Sequence, residues 1–334
     1  MHDATDDLAP KLTAVLRRLT GVGGELRGLR RLSGGANMQT WAFDWCTGAG
    51  ARALILRRRP PGMPAPDEPA RGIDLATEAR LLVLAQRHRV PVPTLRGSLT
   101  ADDGLGEGYL MSRLQGEALP QRLLREARYA TARERFAFQC GEALAQIHGI
   151  PLQECPAGLR DLGWSEDLAR LQGLLDGYDN VSPVHQLALD RLRGLPPPAG
   201  PRVLCHGDFR LGNLLLAENG LAAVLDWELA HLGYPGEDLG YLCAHVWRFG
   251  GDAPVGGVGD YRQLLDGYRS VGREPPSLEE VRRFELYAAL GWGLVCLTML
   301  ELYRSGADRS LERAAVGRRL GESEIDILLL LEEL

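Results

Sequence analysis

The chain has 334 residues, of which 45% are hydrophobic and 25% are charged, and its formal net charge at pH 7 is -6. These ordinary values exclude a disordered or fibrous protein, and the length allows one large domain or two lobes with separate cores. Because the chain is acidic, neither nucleic acid nor an anionic membrane is expected as its main partner.

The compartment is predicted from the cysteines and from the first residues. The 6 cysteines are scattered, several lie within apolar runs, and none forms a close pair with metal-ligand spacing, as expected for buried thiols in a reducing compartment. The acidic start lacks the basic and apolar segments of a secretion signal. The most apolar stretch, 288–300, is too short to span a bilayer and predicts a core helix. We expect a cytoplasmic monomer or homodimer.

The first third of the sequence alternates between helical and extended patterns. Apolar residues at helical intervals predict helices at 8–19 and 73–89. Strands are predicted in two segments within 25–45 that join at Ser33–Met38, at 53–57, at Leu95 and at 108–112. The proline-rich segment 60–69 is a predicted loop.

From residue 119 onwards helical patterns dominate. Predicted helices lie at 131–148, in two segments within 160–195, and at 261–268, 278–303 and 311–334. Because strands precede helices in this way, the sequence predicts an α+β fold.

The residues most suited to chemistry follow residue 203. Two apolar runs bracket a polar loop with four notable side chains, His206, Asp208, Arg210 and Asn213. The pair Asn219-Gly220 predicts a tight hairpin, and the apolar run after it ends at Asp226. This hairpin would bring Asp226 back towards Asn213.

This order of residues is typical of phosphoryl transfer from a metal-bound nucleotide to a hydroxyl. Protein kinases use an Asp as the base, an Asn five positions later as a magnesium ligand, and a further Asp as a second ligand. Asp208, Asn213 and Asp226 reproduce that order, and their oxygens suit Mg²⁺ better than a soft metal. Taken singly, each residue could be a helix cap or a core residue, and we predict that His206 and Asp238 only brace the loop.

The motif residues resemble a known family. His206-Gly207-Asp208-Phe209-Arg210-Leu211-Gly212-Asn213 and Leu225-Asp226-Trp227-Glu228 look like the aminoglycoside phosphotransferase superfamily, closest to the branch also found fused to acyl-CoA dehydrogenases. The segment 310–319 resembles that branch in particular. Tyr234 departs from the family pattern, which usually has an Asp there. The resemblance implies a two-lobed protein-kinase-like fold, with a small N-terminal lobe (1–112) containing an antiparallel sheet and a larger, mainly helical catalytic lobe (113–334).

The resemblance also implies roles outside the motif. Arg57 would pair with nucleotide phosphates and with Glu78 of the next helix, since a guanidinium forks onto phosphate oxygens. The glycine-containing turn would cover the phosphates, and the hinge after the last strand would meet the adenine. Arg210 would neutralise the transferring group. The implied nucleotide-binding residues are Arg57, Glu78, Gly34, Gly35, Asn37 and Met111.

We therefore predict transfer of the γ-phosphoryl of ATP, or of another nucleoside triphosphate, to a hydroxyl of a small molecule, with Mg²⁺. Asp208 and Arg210 are the predicted catalytic residues, and Asn213 and Asp226 the predicted metal ligands. A hydroxy acid or hydroxyacyl compound is favoured over an aminoglycoside as acceptor. Two alternatives stay open: a non-catalytic nucleotide-binding pseudokinase, and a metal-dependent hydrolase.

Overall fold

A computed structural model describes residues 4–32, 38–62, 72–179 and 181–334. The predicted turn residues Gly34, Gly35 and Asn37 lie outside these ranges. Helices and strands follow the predicted α+β order, with the strand-rich part first.

The N-terminal lobe is built on an antiparallel sheet of 5 strands in the order β1-β2-β3-β5-β4. Its elements are α1 (Ala4–Thr20), β1 (Glu25–Arg31), β2 (Gln39–Thr47), β3 (Gly50–Arg59), α2 (Leu75–Arg87), β4 (Leu95–Ser98) and β5 (Glu107–Ser112). Buried leucines of α1 pack against Trp45 and Phe43 of β2 and Leu56 of β3 in one apolar cluster. Burying this face holds the sheet against α1 and fixes the strand register.

The C-terminal lobe is mainly helical. Its helices are α3 (Pro120–Arg125), α4 (Ala130–His148), α5 (Trp164–Asp176), α6 (Pro183–Gly194), α7 (Pro235–Cys243), α8 (Tyr261–Ser270), α9 (Leu278–Ser305), α10 (Leu311–Gly317) and α11 (Leu320–Glu333). The largest apolar cluster includes residues of α2, α4, α7 and α8, so it extends across both lobes.

Two short antiparallel ladders hold the predicted site. β6 (Val203–Cys205) pairs with β9 (His231–Gly233), and β7 (Leu214–Ala217) pairs with β8 (Gly220–Val224). Ala217 lies opposite Gly220, which confirms the predicted hairpin. Gly220 has a φ of +142°, a conformation that favours glycine. β9 was not predicted from the sequence.

Among the described residues, one helix is long and apolar enough to cross a membrane by length and composition. This helix is α9, which has 28 residues. The expectation that the apolar stretch within it belongs to a segment too short to span a bilayer is therefore wrong. Its side chains Phe284, Leu286, Leu290 and Leu294 are buried in a cluster with residues of α5, α6 and α11. This packing is typical of the central helix of a lobe.

Candidate active site

Asp208 lies in the loop between β6 and β7, where its carboxylate is held from two sides. Asn213 Nδ2 donates to Asp208 Oδ2 at 2.5 Å and to the Asp208 carbonyl at 3.0 Å. Arg210 Nε donates to Asp208 Oδ1 at 2.8 Å. The carboxylate retains 15% of its side-chain exposure. It is therefore fixed in orientation and still accessible to a ligand.

Arg210 is itself held by an aromatic group. Its guanidinium lies 4.4 Å from the centre of the Trp247 ring, within the range of a cation–π interaction. Burial, followed by the charge of Asp208, raises the pKa of the neighbouring Tyr241 well above its usual value. Tyr241 is therefore a neutral phenol beside the Asp208–Arg210 pair.

His206 connects the loop to the strand end that carries Asp226. Its Nε2 lies 2.9 Å from the Leu225 carbonyl, which can only accept, so this nitrogen carries the proton. Its Nδ1 then accepts from the Asp208 backbone N–H at 3.2 Å. Burial lowers the pKa of His206, which keeps the ring neutral. Both nitrogens are used by the backbone, and the predicted bracing role is present in the structure.

Asp238, in the first turn of α7, braces the same loop from behind. Its Oδ2 accepts from the His206 N–H at 2.8 Å and its Oδ1 from the Gly207 N–H at 2.9 Å. Its Oδ2 also lies 3.1 Å from His148 Nε2. Although burial acts to raise the pKa of Asp238, the hydrogen bond and charge of His148 lower it overall. The predicted role, accepting backbone hydrogens of the loop, is confirmed.

Asp226 reaches the loop through the backbone. The Leu225 N–H donates to the Asn213 carbonyl at 2.8 Å, so the residue that precedes Asp226 is bonded to the backbone of Asn213. Asp226 has a φ of +61°, which is rare for a residue other than glycine. Such backbone conformations persist when the surrounding structure imposes them, and they are common at active sites.

Arg57 of β3 crosses from the N-terminal lobe to this carboxylate. Its Nη2 lies 2.7 Å from Asp226 Oδ1 and 2.8 Å from Glu228 Oε2, and its Nε lies 3.2 Å from Glu78 Oε2. The pair with Glu78 was predicted, and the contacts with Asp226 and Glu228 were not. Backbone bonds connect the lobes nearby, as the Ile73 N–H donates to the Glu228 carbonyl at 2.8 Å.

The charges of this cluster are strongly coupled. Burial acts to lower the pKa of Arg57, but the carboxylates of Glu78 and Asp226 raise it overall. Burial raises the pKa of Glu78 to about 7; the charge of Arg57 opposes this shift, and the charges of Asp226 and Glu228 add to it. Burial and the charge of Asp226 also raise the pKa of Glu228. The cluster therefore has more negative charge than Arg57 alone can balance.

The donor set fits a hard divalent cation. Asn213 uses its amide nitrogen on Asp208, so its amide oxygen is available as a ligand. Asp226 is 31% exposed in its side chain, and its Oδ1 is the oxygen that contacts Arg57. Both are hard oxygen donors, and Mg²⁺ is usually bound by one or two such protein groups together with waters and phosphate oxygens.

The other predicted nucleotide-binding residue is Met111, which lies one position before the end of β5. It pairs with Ile55 of β3 and with Leu95 of β4, and it packs against the largest apolar cluster. Met111 therefore lies in the predicted strand, and its contact with the adenine stays a prediction.

A cavity of about 180 Å³ opens beside the loop, between α5 and α9. Gly207 and Tyr241 line it on the loop side, and Arg160 and Arg170 line it elsewhere. Of these four residues, the sequence indicated only Gly207, which belongs to the motif. The walls of the cavity come from helices that are far apart in the sequence, so no local pattern reveals them.

The combination of this fold with this loop defines a kinase-like phosphotransferase, and comparisons with known proteins agree. Residues 28–275 match the Phosphotransferase enzyme family. The chain belongs to this family.

Curated relatives are larger proteins. Acyl-CoA dehydrogenase family member 11 of Gallus gallus is 30% identical over 223 residues, covering 64% of this chain and 27% of that protein. Acyl-CoA dehydrogenase family member 10 of Mus musculus is 30% identical over 201 residues, covering 58% of this chain and 18% of that protein. The chain thus spans less than a third of the length of these relatives.

Solved structures share the whole fold. A Ralstonia eutropha protein, provisionally described as an aminoglycoside phosphotransferase, has a TM-score of 0.76 and 21% identity, covering 97% of this chain and 98% of that one. The macrolide 2'-phosphotransferase MphH of Brachybacterium faecium has a TM-score of 0.63 and 20% identity, covering 94% of this chain and 98% of that one. At these identities the likeness shows the fold, which confirms the predicted two-lobed kinase-like architecture.

Proposed function

We propose that the protein transfers the γ-phosphoryl group of ATP to a hydroxyl of a small molecule, and that a hydroxy acid or hydroxyacyl compound is a better acceptor than an aminoglycoside. The observation that supports the proposal is that hydrogen bonds join Asn213 both to Asp208 and to the residue that precedes Asp226. Asn213 donates to Asp208 at 2.5 Å through its side chain and accepts from Leu225 at 2.8 Å through its backbone. The proposed base and one proposed ligand, Asn213, therefore share one loop, and the other proposed ligand, Asp226, directly follows a residue that is bonded to that loop.

In the proposed mechanism Asp208 accepts the proton of the acceptor hydroxyl. Its two oxygens are held by Arg210 and Asn213, so the base is oriented before the acceptor binds, which removes an entropic cost from the reaction. Arg210 also supplies positive charge next to the transferring group. Asn213 and Asp226 would hold Mg²⁺, which supplies neutralisation of the phosphate charge when it is bound.

Arg57 is proposed to hold the phosphates that remain on the nucleotide. Its guanidinium is 12% exposed, and Glu78 fixes it from the buried side. A guanidinium offers five N–H donors, and it can bond phosphate oxygens while its Nε stays on Glu78. Gly34, Gly35, Asn37 and Met111 stay proposed nucleotide contacts, and the lobe division at residue 112 stays a prediction.

The preference for an acidic acceptor has two supports. The cavity beside the loop contains Arg160 and Arg170 together with apolar side chains, and its two acids, Glu237 and Asp238, are bound to His231 and to backbone N–H groups. A polycationic aminoglycoside would favour a cavity lined by carboxylates that are available to it. The named relatives are acyl-CoA dehydrogenase family members, and their names concern acyl compounds. The cytoplasm is the proposed location, because the 6 cysteines are all free thiols.

The test is a panel of hydroxy acids, hydroxyacyl thioesters, amino alcohols and aminoglycosides, incubated with ATP and Mg²⁺ and analysed for phosphorylated product by mass spectrometry. Asp208→Asn is expected to retain nucleotide binding and to lower turnover by roughly 10²- to 10⁴-fold, the usual contribution of a general base. Asp266→Asn, on the exposed surface of α8, is the matched control and should leave turnover unchanged. Undiminished turnover of Asp208→Asn would remove Asp208 from this role.

The pseudokinase is the second candidate, and the contact of Arg57 with Asp226 favours it, because a guanidinium there competes with a cation. Phosphorylated product decides between the two. The geometry of His206 argues against the metal-dependent hydrolase. Both of its ring nitrogens bond to the backbone, so neither is available to a metal or a water.

A further inference from the structure

The cavity beside the catalytic loop has a positively charged end. Arg160 and Arg170 share one carboxylate: Arg160 Nη1 lies 3.1 Å and Arg170 Nε 2.8 Å from Asp167 Oδ1. Tyr287 donates its hydroxyl hydrogen to the other oxygen of Asp167. Two guanidinium groups therefore share a single carboxylate, so one of the two positive charges is not balanced.

The remaining acids that line the cavity do not supply the missing negative charge. Glu237 Oε2 lies 2.8 Å from His231 Nε2, and Asp238 is bound to the backbone of the catalytic loop. Burial acts to raise the pKa of Asp167, but the charge of Arg170 lowers it overall, so Asp167 stays ionised and keeps holding both arginines.

Hydrogen-bond donors are also left over at this end. Each guanidinium has five N–H donors, and Asp167 accepts from one nitrogen of each. Arg160 Nε is buried and has no hydrogen-bond partner among the described residues. A buried donor without a partner is costly, so a bound acceptor group here would be stabilised.

The same cavity reaches the catalytic loop at Gly207, and part of its lining is apolar. Gly207, which directly precedes Asp208, lines it together with Leu171, Ala288 and Val295. A Cβ built on Gly291 would meet no atom within 4 Å, so the helix surface faces open space at that position. A ligand could therefore place a hydroxyl at the loop and a charged group at the arginines, with a hydrocarbon segment between.

Resting on the proposed function, we propose that Arg160 and Arg170, held by Asp167, bind an anionic group of the acceptor, so that the acceptor carries a carboxylate or phosphate as well as its hydroxyl. Two positively charged forks recognise either anion with charge-assisted hydrogen bonds. The arginines are specificity-determining residues, because they contact the acceptor away from the reacting atoms.

The test measures binding by isothermal titration calorimetry, with hydroxyalkanoates of several chain lengths. Each compound is used in three forms: the free acid, the methyl ester and the coenzyme A thioester. If the carboxylate is the anion, the acid binds at least about tenfold more tightly than the ester, as expected for a hydrogen bond to a charged group. If phosphate is the anion, the thioester binds more tightly than both. In either case Arg170→Gln weakens the anionic form by about 10- to 100-fold and leaves the ester unchanged.

Three variants separate this effect from a loss of structure. Arg170→Lys keeps the charge and should restore part of the affinity. Gly291→Leu leaves the arginines intact, and should exclude the longer chains while binding the nucleotide normally. Arg262→Gln replaces an arginine that is 90% exposed on α8 and should change nothing.

The proposal is overturned if no anionic form binds saturably, if acid, ester and thioester bind equally, or if Arg170→Gln weakens all three alike. These results are independent of the phosphotransferase assignment, because binding is measured without turnover. Conversely, failure to form phosphorylated product while Arg170→Gln abolishes anion selectivity would reject the proposed reaction and retain the anion site.

Discussion

Asp238→Asn tests whether one buried carboxylate holds the catalytic loop. Asp238 accepts hydrogen bonds from the N–H groups of His206 at 2.8 Å and Gly207 at 2.9 Å, and its Oδ2 lies 3.1 Å from His148 Nε2. An asparagine that keeps its oxygen towards His206 turns its NH₂ group towards the Gly207 N–H, so one charge-assisted bond is lost and two donors face each other. We expect a loss of about 2 to 4 kcal/mol in the free energy of unfolding.

The measurement is urea unfolding followed by tryptophan fluorescence, with comparison of midpoints at constant slope. Asp266→Asn, whose side chain is 47% exposed, is the control and should change the free energy of unfolding by less than about 0.5 kcal/mol. Turnover of Asp238→Asn should fall by on the order of 10²-fold, since a small displacement of the loop moves the base. A variant as stable and as active as the native chain would refute the bracing argument.

Two further measurements test the charge cluster and the metal site. The pKa of Glu78 is about 7 in the folded chain, against an ordinary value of 4.5. Because the folded state binds the proton more tightly than the unfolded state, the contribution of Glu78 to stability is greatest below pH 4.5 and falls as the pH rises towards about 7. Glu78→Gln should remove that decline, on the order of 3 kcal/mol, in urea unfolding at about pH 5 and about pH 8; the same decline in both proteins would contradict a raised pKa. A non-hydrolysable ATP analogue with Mg²⁺, at about a hundredfold excess over its Kd, should raise the Tm by about 5 °C. Asp226→Asn or EDTA should remove most of this rise, and an equal rise in EDTA would argue against the metal site.

Local chemistry explains why much of the fold and the loop could be predicted. Asn219-Gly220 determines the turn between β7 and β8 through two neighbouring residues, and the helical periodicity of 131–148 matches α4. The spacing of Asp208 and Asn213 similarly places both side chains on one loop. By contrast, β9 has only 3 residues and pairs with β6, which ends at Cys205. A strand that short has no periodicity to detect and depends on its distant neighbour.

The contact between Arg57 and Asp226 shows why the rest of the site was not predicted. The two residues are 169 positions apart and belong to different lobes. Sequence order indicated that Arg57 pairs with Glu78, since both lie in successive elements. Whether Arg57 also reaches Asp226 and Glu228 depends on how closely the two lobes approach each other. The local sequence around these residues gives no information about that distance. Arg160 and Arg170 contact Asp167 within ten positions of sequence, but the cavity that they line is completed by residues of α9, more than 100 positions away.

The charge balance of the site links these contacts to metal binding. Glu78, Asp226 and Glu228 surround Arg57, and Asp208 faces Arg210, so two guanidinium groups face four carboxylates within the described site. Burial raises the pKa values of Glu78 and Glu228, and the negative charge of Asp226 raises them further. A divalent cation between Asn213 and Asp226 would balance the same excess and lower both pKa values again. We therefore expect a cation of charge two to bind in preference to a monovalent one. We also expect its binding to weaken as the pH falls, because protonation of Glu78 and Glu228 reduces the negative charge that surrounds the site.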